Sequence, residues 1–496
     1  MSQVARKSEA SADHDKVEMA EVNNDEVVQD VLTPPYSIVK RSEQIFLIIL
    51  LSLCGFWSTI ANTIYFPALP ILSDYFSVSE SVMTLSLVAY LIFQGLVPTV
   101  SSNLADTFGR RPMMLICLII FIASCIALSR VNVFWALTVL RCVQASGIAP
   151  TISINSGIAG DVTTRADRGG FVGIVSGAQL LGNGFGGLIG SGIMSSFDWR
   201  AIFIFLAIGS AVTFIIAALL LPETNRSFVG NGSIKPKRFY HKSLFLYMPF
   251  LQDRFDNDLS TLKPKQTLDI LSPLRILSNP KVLVTLLACG LPFASWTMAL
   301  TSISTILEAK YNYSVIHVGY IYVPQGVALL VSSFSTGQFL NWYYKRSLQK
   351  YEDKHAGVPE EDRPPFNIYR ARLDLMFPAS MLMASGLIIF GWCLQFRQNI
   401  SSIIISSMMI SMPTSCFISS GTTMLVDLYP SRGSTSTSCM NLMRCLLAAL
   451  FSGVLSKMTD AMGVGGCYTL MAGLCLGSYG LLLLVVLTEK KVSKAE

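Results

Sequence analysis

Residues 102–111 read SNLADTFGRR, and residues 337–346 read GQFLNWYYKR. Each decad follows a long apolar run, and the two stand in opposite halves of the chain. Each opens on a small residue (Ser102, Gly337), carries Asp106 or Asn341 in its middle and ends in paired cations, Arg110-Arg111 and Lys345-Arg346. A cationic turn repeated behind an apolar run in each half points to a duplicated membrane bundle with a path between the halves.

Composition agrees. Of 496 residues, 52% are hydrophobic and 14% charged, against about 25% charged in an ordinary soluble domain. The net charge of +6 does not indicate a nucleic-acid partner, because the cations sit in short clusters between apolar runs. Twelve runs are long enough, at about 20 residues, to cross a hydrocarbon core. They lie near 45–67, 82–102, 113–129, 133–153, 171–193, 201–221, 282–304, 316–340, 374–394, 401–425, 436–456 and 466–487. The fold class expected is an all-α integral membrane protein of two pseudo-symmetric six-helix bundles.

The domain plan follows. Residues 1–44 form a polar, disordered tail without a signal peptide. Residues 45–221 and 282–487 are the two bundles, 222–281 a cytoplasmic central loop, 341–373 a second cytoplasmic loop and 488–496 a short tail. With both ends in the cytosol, nearly all Lys and Arg lie on that side. The exceptions are Arg130, Arg200, Lys310, Arg397 and Lys457 outside, and Arg141 and Arg444 within spans, as the positive-inside rule requires. Cations such as Lys235, Lys237, Arg238 and Lys242 in the central loop suit an anionic lipid surface. The eleven cysteines fall in or beside spans and read as small apolar packing residues. The four histidines lie in tails or loops, so neither a metal nor a cofactor is expected, and nothing in the sequence has the pattern of an enzyme's nucleophile or phosphate loop.

Three features carry mechanism. Asp106, Gly109, Arg110 and Arg111 close span 2 with a carboxylate and guanidinium groups able to cross-link neighbouring helix ends; Asn341, Lys345 and Arg346 are the weaker second copy. Arg141 lies inside span 4 in LTVLRCVQASG (137–147), beside Gln144. A charge at that depth costs about 3 kcal/mol or more unless paired or hydrated, so it faces the bundle interior. In span 5, GNGFGGLIGSG (182–192) sets Gly182, Gly186 and Gly190 in one i, i+4 row, a surface for close helix approach.

These segments resemble signatures of the major facilitator superfamily. SNLADTFGRR is similar to its span-2 GxLaDxxGRR pattern, with Ser102 in place of the leading Gly. Arg141 and Gln144 match the span-4 RxxQG pattern, where the Arg is associated with proton coupling. GNGFGGLIGSG resembles the antiporter pattern GxxxGPxxGG, with Gly187 in place of Pro and Ser191 for the last Gly. IYFPALPIL (64–72), DWRAIF (198–203) and LPETNR (221–226) narrow the resemblance to fungal twelve-span drug:proton antiporters of the quinidine-resistance type.

The resemblance implies proton-coupled export of amphipathic drugs or organic cations across the plasma membrane, by a monomer whose partners are substrate, protons and lipid. A polyamine or amino acid carrier is the alternative, and a non-transporting sensor a more distant one. No Asp or Glu lies mid-span, so Asp74 near the external mouth is named with Arg141 and Gln144 for proton coupling. A substrate cavity is expected from Trp57, Asn62, Tyr65, Tyr90, Gln94, Trp296, Tyr322, Gln325, Asn441 and Arg444, whose rings and amides suit planar amphipathic molecules.

Overall fold

The computed structural model describes residues 37–244 apart from 164 and 237, the isolated positions 255, 259, 262 and 264, and residues 272–311, 313–355, 376–428 and 433–492. The described residues contain helices and no strand. In the first half these are α1 (Arg41–Thr63), α2 (Leu69–Phe76), α3 (Glu80–Phe108), α4 (Arg110–Leu128), α5 (Phe134–Ile148), α6 (Pro150–Val162), α7 (Arg165–Ser196) and α8 (Arg200–Leu220). A short α9 (Arg226–Val229) and a 3-10 turn (Phe239–His241) follow. The second half holds α10 (Ser272–Leu277), α11 (Pro280–Tyr311), α12 (Val315–Lys354), α13 (Met376–Gln395), α14 (Ile400–Leu428) and α15 (Gly433–Val492).

Among the described residues, ten helices are long and apolar enough to cross a bilayer. The last of them, Thr437–Leu484, breaks at Gly463, whose φ of 74° is outside helical geometry, and so supplies two passes. With α7, itself 32 residues long, twelve passes result. Prolines divide two of these passes. Pro67 and Pro70 separate α1 from α2, and Pro150 starts α6 directly behind α5.

The helices outrun their apolar segments. The helix expected to stop near 340 continues as α12 to Lys354, so Asn341, Lys345 and Arg346 lie on a helix and not in a turn. An apolar run marks only the length that meets hydrocarbon; SLQKYEDK beyond it holds the good helix formers Leu348, Gln349, Lys350, Glu352 and Lys354 and continues in the polar layer. The segment 154–162 is likewise helical, where a loop was expected. The rest of the loop expected over 341–373, from 356 on, lies outside the described residues, as do the tail 1–36 and most of 245–271.

Two seams join the halves: α7 packs along α12, and α3 along α15. Small residues allow both approaches. Gly184 faces Gly326, where an added Cβ would come within 2.6 Å of the Gly326 Cα. Gly95 faces Cys445 and the Leu442 backbone in the same way.

Candidate functional site

The sequence around Gly109 builds a staple at one end of the first half. Gly109 has φ 112°, a conformation that favours glycine, and lets α4 start immediately at Arg110. The first N–H groups of α4 have no partner within the helix. Glu223, from the LPETNR segment after α8, supplies one: its Oε1 accepts from Arg110 N at 2.9 Å and its Oε2 from Arg111 N at 3.3 Å. Oε1 also accepts from the N–H groups of Thr224 and Asn225, both at 3.0 Å, and Oε2 lies 2.8 Å from His241 Nδ1. The Glu223 side chain is fully buried. An anion at a helix N-terminus is favoured by the helix dipole, and this one comes from the non-helical segment that follows α8. A Cβ at Gly109 would sit 2.5 Å from Glu223 Oε2, so glycine is needed there for space as well as for φ.

Arg110 joins two carboxylates, Asp106 at 2.5 Å and Asp161 of α6 at 3.2 Å. Arg111 donates to the carbonyls of Ala218 and Tyr240. Asn225 donates to the Asp106 carbonyl at 2.7 Å, and Arg226 to that of Asp161 at 2.9 Å. The staple therefore fastens α3, α4, α6, α8 and residues 223–241 to one another, all within one half. The second decad is not built this way: Lys345 and Arg346 are exposed, and Arg346 rests over the Trp342 ring at 5.2 Å. The Asn341 side chain lies outside the description.

In the bundle interior, Arg141 is fully buried and held between two rings. Its guanidinium carbon lies 3.9 Å from the centroid of Tyr65 and 4.0 Å from that of Tyr90. Nη1 donates to Gln144 Oε1 at 2.6 Å and to the Ala61 carbonyl at 3.3 Å, while Nε and Nη2 have no protein partner. The Tyr65 hydroxyl bonds Ser86 at 2.7 Å and fixes one ring. The Tyr65 and Tyr90 faces expected to receive a substrate are thus occupied by Arg141. Among the other buried polar atoms without a protein partner are Asn62 Oδ1, the Tyr90 hydroxyl, Gln94 Oε1, Trp296 Nε1 and both amide atoms of Gln325. Buried polar atoms are nearly always hydrogen-bonded in native structures, so each of these is a donor or acceptor left for water or a bound molecule. They come from both halves.

Asn441 and Arg444 do different work from that expected. Pro98 has no N–H, so the carbonyl four residues earlier, Gln94 O, loses its helical partner. Asn441 Nδ2 donates to it at 2.7 Å across the α3–α15 seam. Arg444 Nη2 donates to Asn441 Oδ1 at 2.8 Å and orients the amide, and its guanidinium lies 5.0 Å from the Phe293 centroid. Ser438 supports the same seam through Ser102 Oγ at 3.4 Å.

The glycine row packs as its spacing requires. Added Cβ atoms at Gly182, Gly186 and Gly190 would fall on Thr59, Thr63 and Ile64 of the first pass. Thr63 Oγ1 donates to the Gly182 carbonyl at 3.0 Å. Gly187 lies on another face, against the Tyr322 ring of α12. That contact places Tyr322 in the α7–α12 seam, and its hydroxyl donates to the Leu300 carbonyl of α11 at 2.8 Å. Trp57 also differs from expectation. Its indole donates to Thr213 Oγ1 at 2.7 Å and packs on Phe205 and Gly209, so it faces α8, away from the interior layer. Asp74 is exposed on α2, whereas Arg141 is fully buried.

Glu223, Asp161 and His241 escape a reading by spans because they stand beyond the apolar runs. A signal existed for Glu223: a carboxylate directly after a span whose neighbour begins with bare N–H groups. Asn441 had one too, since Pro98 frees a carbonyl within a span.

The family model for the Major Facilitator Superfamily matches residues 51–350. "MFS antiporter QDR2" of Candida albicans is 54% identical over 477 residues, covering 96% of this chain and 93% of that protein. "Quinidine resistance protein 1" of Saccharomyces cerevisiae is 38% identical over 92% of this chain and 85% of its own length. "Probable transporter AQR1" of the same yeast is 42% identical, with 89% and 76% covered. Among solved structures, the human organic anion transporter MFSD10 (TETRAN) aligns with TM-score 0.56 at 17% identity, covering 91% of this chain and 100% of that one. The xylose transporter XylE of E. coli, in a partially occluded inward-open conformation, aligns with TM-score 0.59 at 13% identity, with 89% and 97% covered. These two share the fold.

Proposed function

The chain belongs to the major facilitator superfamily, and from that premise we propose that it is a proton-coupled antiporter exporting amphipathic drugs by alternating access. The names of its relatives support this reading. The observation that carries it is the set of buried polar atoms without a protein partner, two guanidinium nitrogens of Arg141 and amide and indole groups, contributed by both halves. A molecule bound there touches both bundles, so its binding energy can differ between their two arrangements, as a coupled carrier requires.

The layer also shapes the substrate. Among the described residues it holds the Arg141 guanidinium and no carboxylate. An organic cation such as quinidine meets like charge at Arg141, so apolar contact with Trp296 and hydrogen bonds to Asn62, Gln94 and Gln325 carry its binding. A polyamine, with several charges to neutralise, is poorly served. An amino acid remains the second reading, because the free nitrogens of Arg141 suit its carboxylate. The Asp106 end faces the cytosol in this reading, given the Lys and Arg distribution, and the membrane is the plasma membrane.

The test is efflux from proteoliposomes under an imposed pH gradient, with quinidine, a neutral planar drug, a polyamine and an amino acid as substrates. Gradient-dependent movement of the two drugs is expected. Movement of the amino acid alone would replace the drug reading. Movement of none would remove the antiporter.

A further inference from the structure

We propose that residues 235–244 form a docking surface for an anionic lipid leaflet at the Asp106 end of the bundle. The segment has two faces. One is buried: His241 and Ser243 are 2% and 3% exposed, His241 bonds Glu223, and the Tyr240 carbonyl accepts from Arg111. The other is open. Phe239 is 83% exposed and Leu244 57%, and Lys235, Arg238 and Lys242 are exposed with them. From Arg226 to Leu251 the sequence contains no Asp or Glu.

Position decides the occupant. Arg111 stands where the third pass begins, two residues before its apolar run, so the Tyr240 carbonyl bonded to it lies at headgroup depth. An exposed Phe and Leu among cations, without an acid, is the chemistry of an interfacial anchor: apolar side chains enter the boundary while cations meet lipid phosphates. The inner face of the same turn holds the carboxylate that caps α4. Lipid that orders residues 235–244 therefore tightens the staple, and the charge of the leaflet is transmitted to the first half through His241 and Tyr240.

This surface rests on the transporter reading only through the orientation of the bundle, and its test measures no transport. The full chain is placed in nanodiscs of phosphatidylcholine alone or mixed with phosphatidylserine, and amide exchange is followed over 226–244. Slower exchange in the anionic discs is expected, with most of the difference lost at high salt. Arg238→Gln and Lys242→Gln each reduce the difference, roughly fivefold per cation. Phe239→Ser speeds exchange in both lipids. Lys345→Gln with Arg346→Gln removes as much exposed charge from α12 and leaves 226–244 unchanged. The bond of Lys242 that holds the turn is made by its backbone N–H, which donates to the Phe239 carbonyl at 3.1 Å and is kept in Lys242→Gln, so that variant alone is safe against misfolding. Equal exchange in both lipids, or a difference that survives Arg238→Gln with Lys242→Gln, overturns the proposal.

Discussion

Glu223→Gln isolates the charge that caps α4 while keeping its shape. The native carboxylate receives five donors: the N–H groups of Arg110, Arg111, Thr224 and Asn225, and His241 Nδ1. A glutamine oxygen placed at Oε1 keeps three of these. Its NH2 then faces the Arg111 N–H, donor against donor. One orphaned buried N–H costs about 1–3 kcal/mol, and the lost anion at the helix start adds about 0.3–2 kcal/mol. The loss expected is thus about 2–4 kcal/mol, confined to the Asp106 end. Two measurements on purified protein read it: a melting temperature lowered by a few degrees, and faster amide exchange at the start of α4 with α11–α15 unchanged. Unaltered exchange at Arg110 and Arg111, together with a native melting temperature, would refute the claim that Glu223 caps this helix.

Arg141→Ala is expected to reach the membrane yet lose efflux driven by a pH gradient, with counterflow in the same vesicles as the control. Arg141→Lys restores a part only, because an ammonium cannot span two ring faces as a planar guanidinium does; full gradient-driven accumulation by the Ala variant would make Arg141 structural. Gly186→Val overpacks the contact with Thr63 and costs about 1–3 kcal/mol, whereas Gly192→Ala, with nothing within 4 Å of the added carbon, is neutral; equal melting temperatures would show that the row does not pack against the first pass. Asp106→Asn is milder than Arg110→Ala, since Arg110 keeps Asp161 at 3.2 Å in the first and Asp161 loses its guanidinium in the second; the melting temperatures of the single and double variants show whether the pair acts as one unit. Asn441→Ala, which orphans the Gln94 carbonyl, costs about 1–3 kcal/mol, read as lower thermal stability that Pro98→Ala partly restores by returning the missing N–H.

Much of this architecture was legible because hydrocarbon imposes a coarse rule. Apolar runs of about 20 residues must be spans, and a glycine row at i, i+4 must meet another backbone. Arg141 announced its burial by its cost. What the sequence left open is which way a side chain faces. Trp57 and Asn62 lie on the same helix, yet Trp57 packs toward α8 while Asn62 carries a free oxygen in the interior. Hydropathy does not distinguish two buried faces of one span. The staple was half legible: GRR marked its site, but its central carboxylate lies more than a hundred residues further along the chain, in the segment that follows α8.

Where Gly184 meets Gly326, two main chains touch with no side chain between them. Such a contact has little to compress and no rotamer to change, so it acts as a fulcrum. Helices rolling about it move least at the seam and most at their far ends. From Gly326 to Lys345 is about 28 Å along α12 at 1.5 Å per residue, a lever on which each degree of tilt carries the tip about half an ångström. A bulkier residue at either glycine would lengthen the gap at the pivot and spoil the motion at both ends together, without touching a single group that binds a substrate.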